Sequence, residues 1–86
     1  MSASIPGDLP VIDMTATGRQ IRRLRQTAGL SVREVSAALG LAEQAVYKWQ
    51  RGESLPTVDN LALLARLLGC SMEELLCFED QRHEQR

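Results

Sequence analysis

Histidine occurs once in these 86 residues, as His83, and cysteine twice, as Cys70 and Cys77. His83 lies in a charged terminal stretch, so no histidine-based nucleophile–base pair is available in the body of the chain. Two thiols are too few for a disulfide framework, and no second Cys/His cluster offers metal-ligand spacing. Cys70, just after an apolar segment, is expected to be structural. Aromatic side chains number three, Tyr47, Trp49 and Phe78. A core must therefore be built from Leu, Val, Ile and Ala, which suits helices packed on helices. No apolar run approaches the roughly 20 residues that cross a bilayer. The first thirteen residues show neither a basic n-region nor a signal-like apolar block. The expectation is a cytoplasmic protein with no membrane partner. Gly7 and Gly18 stand too isolated to form a phosphate loop. Together these absences argue against an enzyme, a metal site or a cofactor, and a core of this size leaves little room for a small-molecule ligand.

What is present is a polarised distribution of charge. The net charge of −1 conceals it. Residues 17–52 carry seven basic side chains (Arg19, Arg22, Arg23, Arg25, Arg33, Lys48, Arg51) against two acidic ones (Glu34, Glu43), a net of +5. Residues 53–86 carry seven acidic and three basic side chains, a net of −4. One segment can face phosphates while the rest stays acidic. Charge alone equally fits a solvated surface.

Helix signals punctuate the chain from residue 17 onward. Thr17 and Gln20 have capping-box spacing, followed by Ile21, Leu24 and Ala28, with Gly29 as a stop. Ser31 and Glu34 repeat the box before Val35, Ala38 and Leu39, and Gly40 ends that helix. A third helix is expected over residues 42–50, with Val46 and Trp49 on its inner face and Gly52 after it. Thr57 is the expected cap for a fourth helix carrying Leu61, Leu64, Ala65 and Leu68, which Gly69 ends. Ser71 and Glu74 give another capping box, before Leu75 and Leu76 in a short fifth helix. The expectation is an all-α, five-helix bundle at 17–78. Residues 1–16 precede it as an arm, in which Val11 and Ile12 could form a strand in an assembly. A charged tail, 79–86, follows.

The centre of the chain reads as helix, tight turn, helix. Ser36 is small enough for the next helix to approach. Gly40 permits a positive-φ turn. Val46 and Trp49 then seal the second helix onto the first two, leaving its outer face free to enter a major groove. Trp49 could instead stack on a base or ligand, but its period with Val46 favours the core. With the stretches Ile21–Ser31, Ala38–Gly52 and Ser54–Leu76, this pattern resembles the lambda-repressor-like helix-turn-helix regulators, the Cro/C1 or XRE family. The resemblance covers about two-thirds of the chain and implies a five-helix DNA-binding bundle, usually dimeric, that acts as a transcriptional regulator, here a repressor.

The third helix resembles the family's recognition helix, with Glu43, Gln44, Tyr47 and Lys48 exposed. Gln44 can bond adenine in bidentate fashion, Lys48 can reach guanine or phosphate, Glu43 can accept from cytosine N4, and Tyr47 can meet a thymine methyl or a phosphate. Arg33 and Arg51 are candidate backbone contacts, with Arg19, Arg22 or Arg23 as further ones. Three positions depart from the family pattern. Val32 replaces a common DNA-contacting Gln. Ala42 replaces a capping Ser or Thr, a loss of about 1 kcal/mol. Arg25 and Gln50 replace an Arg–Glu pair, which predicts a hydrogen bond or an Arg25 left free for phosphate. On the fourth helix, Leu63 and Leu67 widen the apolar arc beyond what one core needs. Either these leucines are buried under the tail or the fifth helix, or they form the surface of a homodimer, with Leu76 and Phe78 nearby in sequence. The homodimer reading implies a pseudo-palindromic operator with half-sites ~34 Å apart. The alternative is an antitoxin-like protein-interaction module that also binds DNA, motivated by the arm and the acidic tail.

Overall fold

The computed structural model describes residues 11–79. The expectations for residues 1–10 and 80–86, on which much of the antitoxin alternative rests, lie outside the described residues. Five helices follow in order: α1 (Met14–Thr27), α2 (Val32–Leu39), α3 (Glu43–Gln50), α4 (Val58–Leu68) and α5 (Met72–Leu75). The fold is all-helical, and no described helix is long and apolar enough to cross a membrane.

The helix starts divide by chemistry. At α2 the Ser31 Oγ accepts from the Glu34 amide at 3.0 Å, and Glu34 Oε1 accepts from the Ser31 amide at 2.8 Å. Ser71 and Glu74 make the same reciprocal pair at α5, at 3.0 and 2.7 Å. Each box satisfies two amide donors that a helix start otherwise leaves open. At α4, Thr57 holds the N-cap position, but its hydroxyl donates to Asp59 Oδ1 at 2.6 Å instead of capping a backbone amide.

The expected box at Thr17 and Gln20 is overturned. Asp13 caps α1, its Oδ1 accepting from the Ala16 amide at 2.9 Å, so the helix starts four residues earlier than the sequence pattern suggested. Thr17 lies inside α1 and is fully buried. Its hydroxyl accepts from the Cys77 amide at 2.9 Å and donates to the Cys77 carbonyl at 3.3 Å. Gln20 Nε2 donates to the Glu74 carbonyl at 2.8 Å. Capping-box spacing is blind to a partner sixty residues away, and a buried backbone pair that needs hydrogen bonds wins over a local cap.

The same region places the segment at Val11 and Ile12. Ile12 pairs with Phe78 in an isolated antiparallel bridge. The Asp13 amide donates to Cys77 O at 2.8 Å, and the Glu79 amide donates to Val11 O at 2.7 Å. The extended segment thus finds its partner within the chain, at the exit of α5.

The core takes Ile21 from α1, Val35 from α2, Val46 and Trp49 from α3, Leu61, Leu64 and Ala65 from α4, and Leu75 from α5. Both α1 and α2 pack against α3, α4 packs against α2 and α5, and α5 returns to α1. Cys70 is partly buried against this core, and burial pushes its thiol pKa up, with the nearby Glu74 carboxylate adding to the shift. Helix α3 is therefore gripped from two sides, and its remaining side faces outward.

Candidate nucleic-acid interface

Two close approaches fix how α3 sits. A Cβ at Gly18 would come within 2.4 Å of the Trp49 carbonyl oxygen and 2.7 Å of the Gln50 carbonyl oxygen. Neither oxygen can yield without moving backbone, so α1 and α3 cross where only hydrogen fits. Sequence spacing carried no sign of this role for Gly18. The second approach is the α2–α3 turn. Gly40 has φ 71°, and its amide and that of Leu41 donate to the Ala37 and Ser36 carbonyls at 3.2 and 2.9 Å. This double bond pattern closes α2 and turns the chain abruptly into α3. Ser36 is buried beneath the turn, its hydroxyl donating to the Arg33 carbonyl at 3.0 Å.

Val46 is fully buried and Trp49 is 4% exposed, which settles Trp49 as a core residue. Ala42 at the N-cap makes no side-chain bond. The start of α3 is thus held by its neighbours rather than by a cap. Glu43 stands in the first turn, where a carboxylate favours the helix dipole.

Arg25 and Gln50 complete the grip. Arg25 Nε donates to Gln50 Oε1 at 2.9 Å, and a terminal guanidinium nitrogen donates to the Leu30 carbonyl at 2.7 Å. Of the two expectations for Arg25, the hydrogen bond holds. Because Gln50 is neutral, the pair ties α1, the α1–α2 turn and α3 together while keeping a full positive charge. Val32 is buried in the core, so its place in the family pattern is a packing position in this chain.

The outward surface has two parts. A concave groove of about 620 Å³ is lined by Arg22, Arg25, Arg33, Glu43, Tyr47 and Arg51, together with Ser31, Val32 and Gln50. It gathers four guanidinium groups and one carboxylate between α1, α2 and α3. Four of the candidate site residues, Arg33, Glu43, Tyr47 and Arg51, therefore meet in one place. Glu43, Tyr47 and Arg51 recur every four residues and share one edge of α3. Gln44 and Lys48, also four apart, are exposed outside the groove lining, on another strip of the same helix. Among the α1 arginines, only Arg22 joins Arg25 in the groove; Arg23 instead bonds Gln20.

Arg51 is not a free cation. Its Nε lies 2.6 Å from Glu53 Oε2, and a terminal nitrogen lies 3.3 Å from Glu53 Oε1. The bond from Arg51 holds the Glu53 carboxyl below the usual glutamate range, with the Arg51 and Lys48 charges acting in the same direction. The bond to Glu53 raises the Arg51 pKa. Among the described residues no three His, Cys, Asp or Glu side chains converge on a metal position.

A gripped inner face, an abrupt glycine turn and an exposed polar strip are the parts of a helix-turn-helix. The helix-turn-helix family model matches residues 21–75. The chain belongs to the XRE-type helix-turn-helix family. It is similar to an uncharacterized HTH-type transcriptional regulator, y4dJ of Sinorhizobium fredii, at 39% identity over 64 residues, covering 74% of this chain and 83% of that protein. It is also similar in structure to the restriction-modification controller protein C.AhdI from Aeromonas hydrophila. That match has 30% identity and a TM-score of 0.68, and covers 73% of this chain and 96% of that one. The P22 c2 repressor, solved in complex with a synthetic operator, matches at 30% identity and a TM-score of 0.66, over 70% of this chain and 91% of that one.

Proposed function

We propose that this helix-turn-helix protein binds double-stranded DNA sequence-specifically through α3 and represses transcription from the site it occupies. The observation that carries the reading is the division of α3. Val46 and Trp49 lock one face into the core, while Gln44, Tyr47 and Lys48 stand exposed on the other. Gln44 reads an adenine edge, Lys48 reaches guanine or phosphate, and Glu43 and Tyr47 contact bases at the groove edge. Arg33 and Arg51, on the groove side of α3, take phosphates. The names of the relatives support the regulatory role: y4dJ is described as a transcriptional regulator, and the P22 c2 repressor is seen on an operator.

The protein works as a homodimer in the cytoplasm, by binding and without catalysis. Leu63 is 50% exposed on α4 and Phe78 is 48% exposed in the terminal bridge, and each offers apolar surface for a second copy. A two-fold dimer spaces two α3 helices about one DNA turn apart, ~34 Å, and calls for a pseudo-palindromic site. Selection of bound sequences from a random duplex library tests the whole reading. The expected result is enrichment of two inverted half-sites about one turn apart. A pool that stays random after repeated rounds overturns sequence-specific binding. A single unpaired half-site overturns the dimer alone.

A further inference from the structure

We infer that Glu53 sets DNA affinity: its carboxylate occupies Arg51 and so competes with the phosphates that Arg51 takes. The inference rests on the proposed DNA-binding role and adds a residue that faces no base in that reading.

The geometry is a two-point pair at the end of the recognition helix. Glu53 Oε2 and Oε1 take the Arg51 Nε and a terminal nitrogen at 2.6 and 3.3 Å. The backbone holds the two residues in this relation. The Gly52 amide donates to Trp49 O at 3.0 Å, and the Glu53 amide to Lys48 O at 2.9 Å. Gly52 has φ 77°, and a Cβ there would lie 2.9 Å from the Thr15 Cα, so α1 braces the turn. Glu53 thereby sits among two proposed DNA-contacting cations, paired with Arg51 and within the field of Lys48.

Non-specific binding depends almost entirely on cations that neutralise phosphates. A phosphate approaching Arg51 must displace the Glu53 carboxylate or share the guanidinium with it, and in sharing it meets a like charge. Because Arg51 contacts phosphate and not a base edge, the penalty falls on any duplex, selected or arbitrary. Side chains of Arg51 and Glu53 are about half exposed, 51% and 50%, so replacing Glu53 leaves the core untouched.

The test compares wild type, Glu53→Gln, Glu73→Gln and Arg51→Ala with and without Glu53→Gln. Each is titrated by fluorescence anisotropy against a random-sequence duplex and the selected site across a series of salt concentrations. Glu73→Gln removes the same charge from α5. Glu53→Gln is expected to tighten random-duplex binding about 2- to 5-fold, the scale of an exposed ion pair. Its salt dependence should steepen by roughly 0.9 in log–log slope, one more phosphate. The selected site should gain by a similar factor, Glu73→Gln should do neither, and the effect should vanish on Arg51→Ala. Unchanged or weaker random binding in Glu53→Gln overturns the inference and leaves the DNA-binding reading intact. So does an equal gain from Glu73→Gln, or a gain that survives Arg51→Ala. Failure of every variant to retain any duplex at low salt overturns both.

Discussion

The two faces of α3 obey different rules. On the inner face, Val46 and Trp49 are enclosed by Ile21, Val35 and their neighbours, and Gly18 brings the α1 backbone against α3. Each inner atom has one place to be. On the outer face, Gln44, Tyr47 and Lys48 are exposed, and Arg51 is held by a single acidic neighbour. The inner face carries stability, and the outer face can vary its chemistry at little structural cost. A short helix of eight residues with no side-chain cap can present that chemistry only because its neighbours hold it.

The most severe way to break this division is from within. Trp49→Ala is expected to cost about 3–5 kcal/mol. At roughly 4–8 °C per kcal/mol for a domain this small, the thermal midpoint should fall by more than about 10 °C. DNA binding should fall with it at temperatures where the variant unfolds. A Trp49→Ala protein with a wild-type melting curve and lost binding would place Trp49 on the DNA side instead. Thr17→Val comes next. It keeps the shape but removes both hydroxyl bonds to Cys77, leaving a half-buried amide without its partner, at a cost of about 1 kcal/mol. Hydrogen exchange should show the loss first at residues 77–79, and uniform loss across the fold would argue against a local clamp.

Substitution on the outer face should do the reverse. Gln44→Ala is expected to move the melting midpoint by the equivalent of less than about 0.5 kcal/mol. It should nevertheless relax selection at one base pair per half-site, by about 1–3 kcal/mol of discrimination. An unchanged selected sequence would remove Gln44 from the recognition set. The smallest effect is in acid. Ser31 lowers the Glu34 pKa, first through its backbone amide and then through its side chain. A carboxyl lowered in the folded state adds stability above its unfolded value and loses it as pH falls through the folded one. Wild type should therefore lose thermal stability faster than Glu34→Gln as pH is taken down through the ordinary glutamate range. Parallel curves would show that the capping box contributes nothing through its charge.

Many local signals were legible where a residue's partner lies within a few positions. Ser31–Glu34 and Ser71–Glu74 are such cases, as are the glycine stops and the Val46–Trp49 period. The failures are groups for which more than one partner competes, near or far in the chain. Thr17 carries the local spacing of a cap and uses its hydroxyl on Cys77. Thr57 stands at a cap position and bonds Asp59. Arg22, Arg19 and Arg23 are indistinguishable in a basic run, and only the crossing of α1 with α3 selects Arg22 for the groove. Glu53 looked like one more acidic residue until the turn at Gly52 set it against Arg51.

The sequence by itself determined the helices, most of their stops, the apolar inner edge of α3 and the outward place of Gln44, Tyr47 and Lys48. Periodicity and capping act over one or two turns, and their range is the range of what could be read. Only the tertiary structure decided that Thr17 and Gln20 hold the chain's far end, that Gly18 sets the closeness of α1 to α3, and that Arg25 and Arg51 already have partners. Those are meetings between residues distant in the chain or turned toward each other by a bend. Such a meeting exists only once the backbone has brought two groups within a few ångströms, where sterics and hydrogen bonding act.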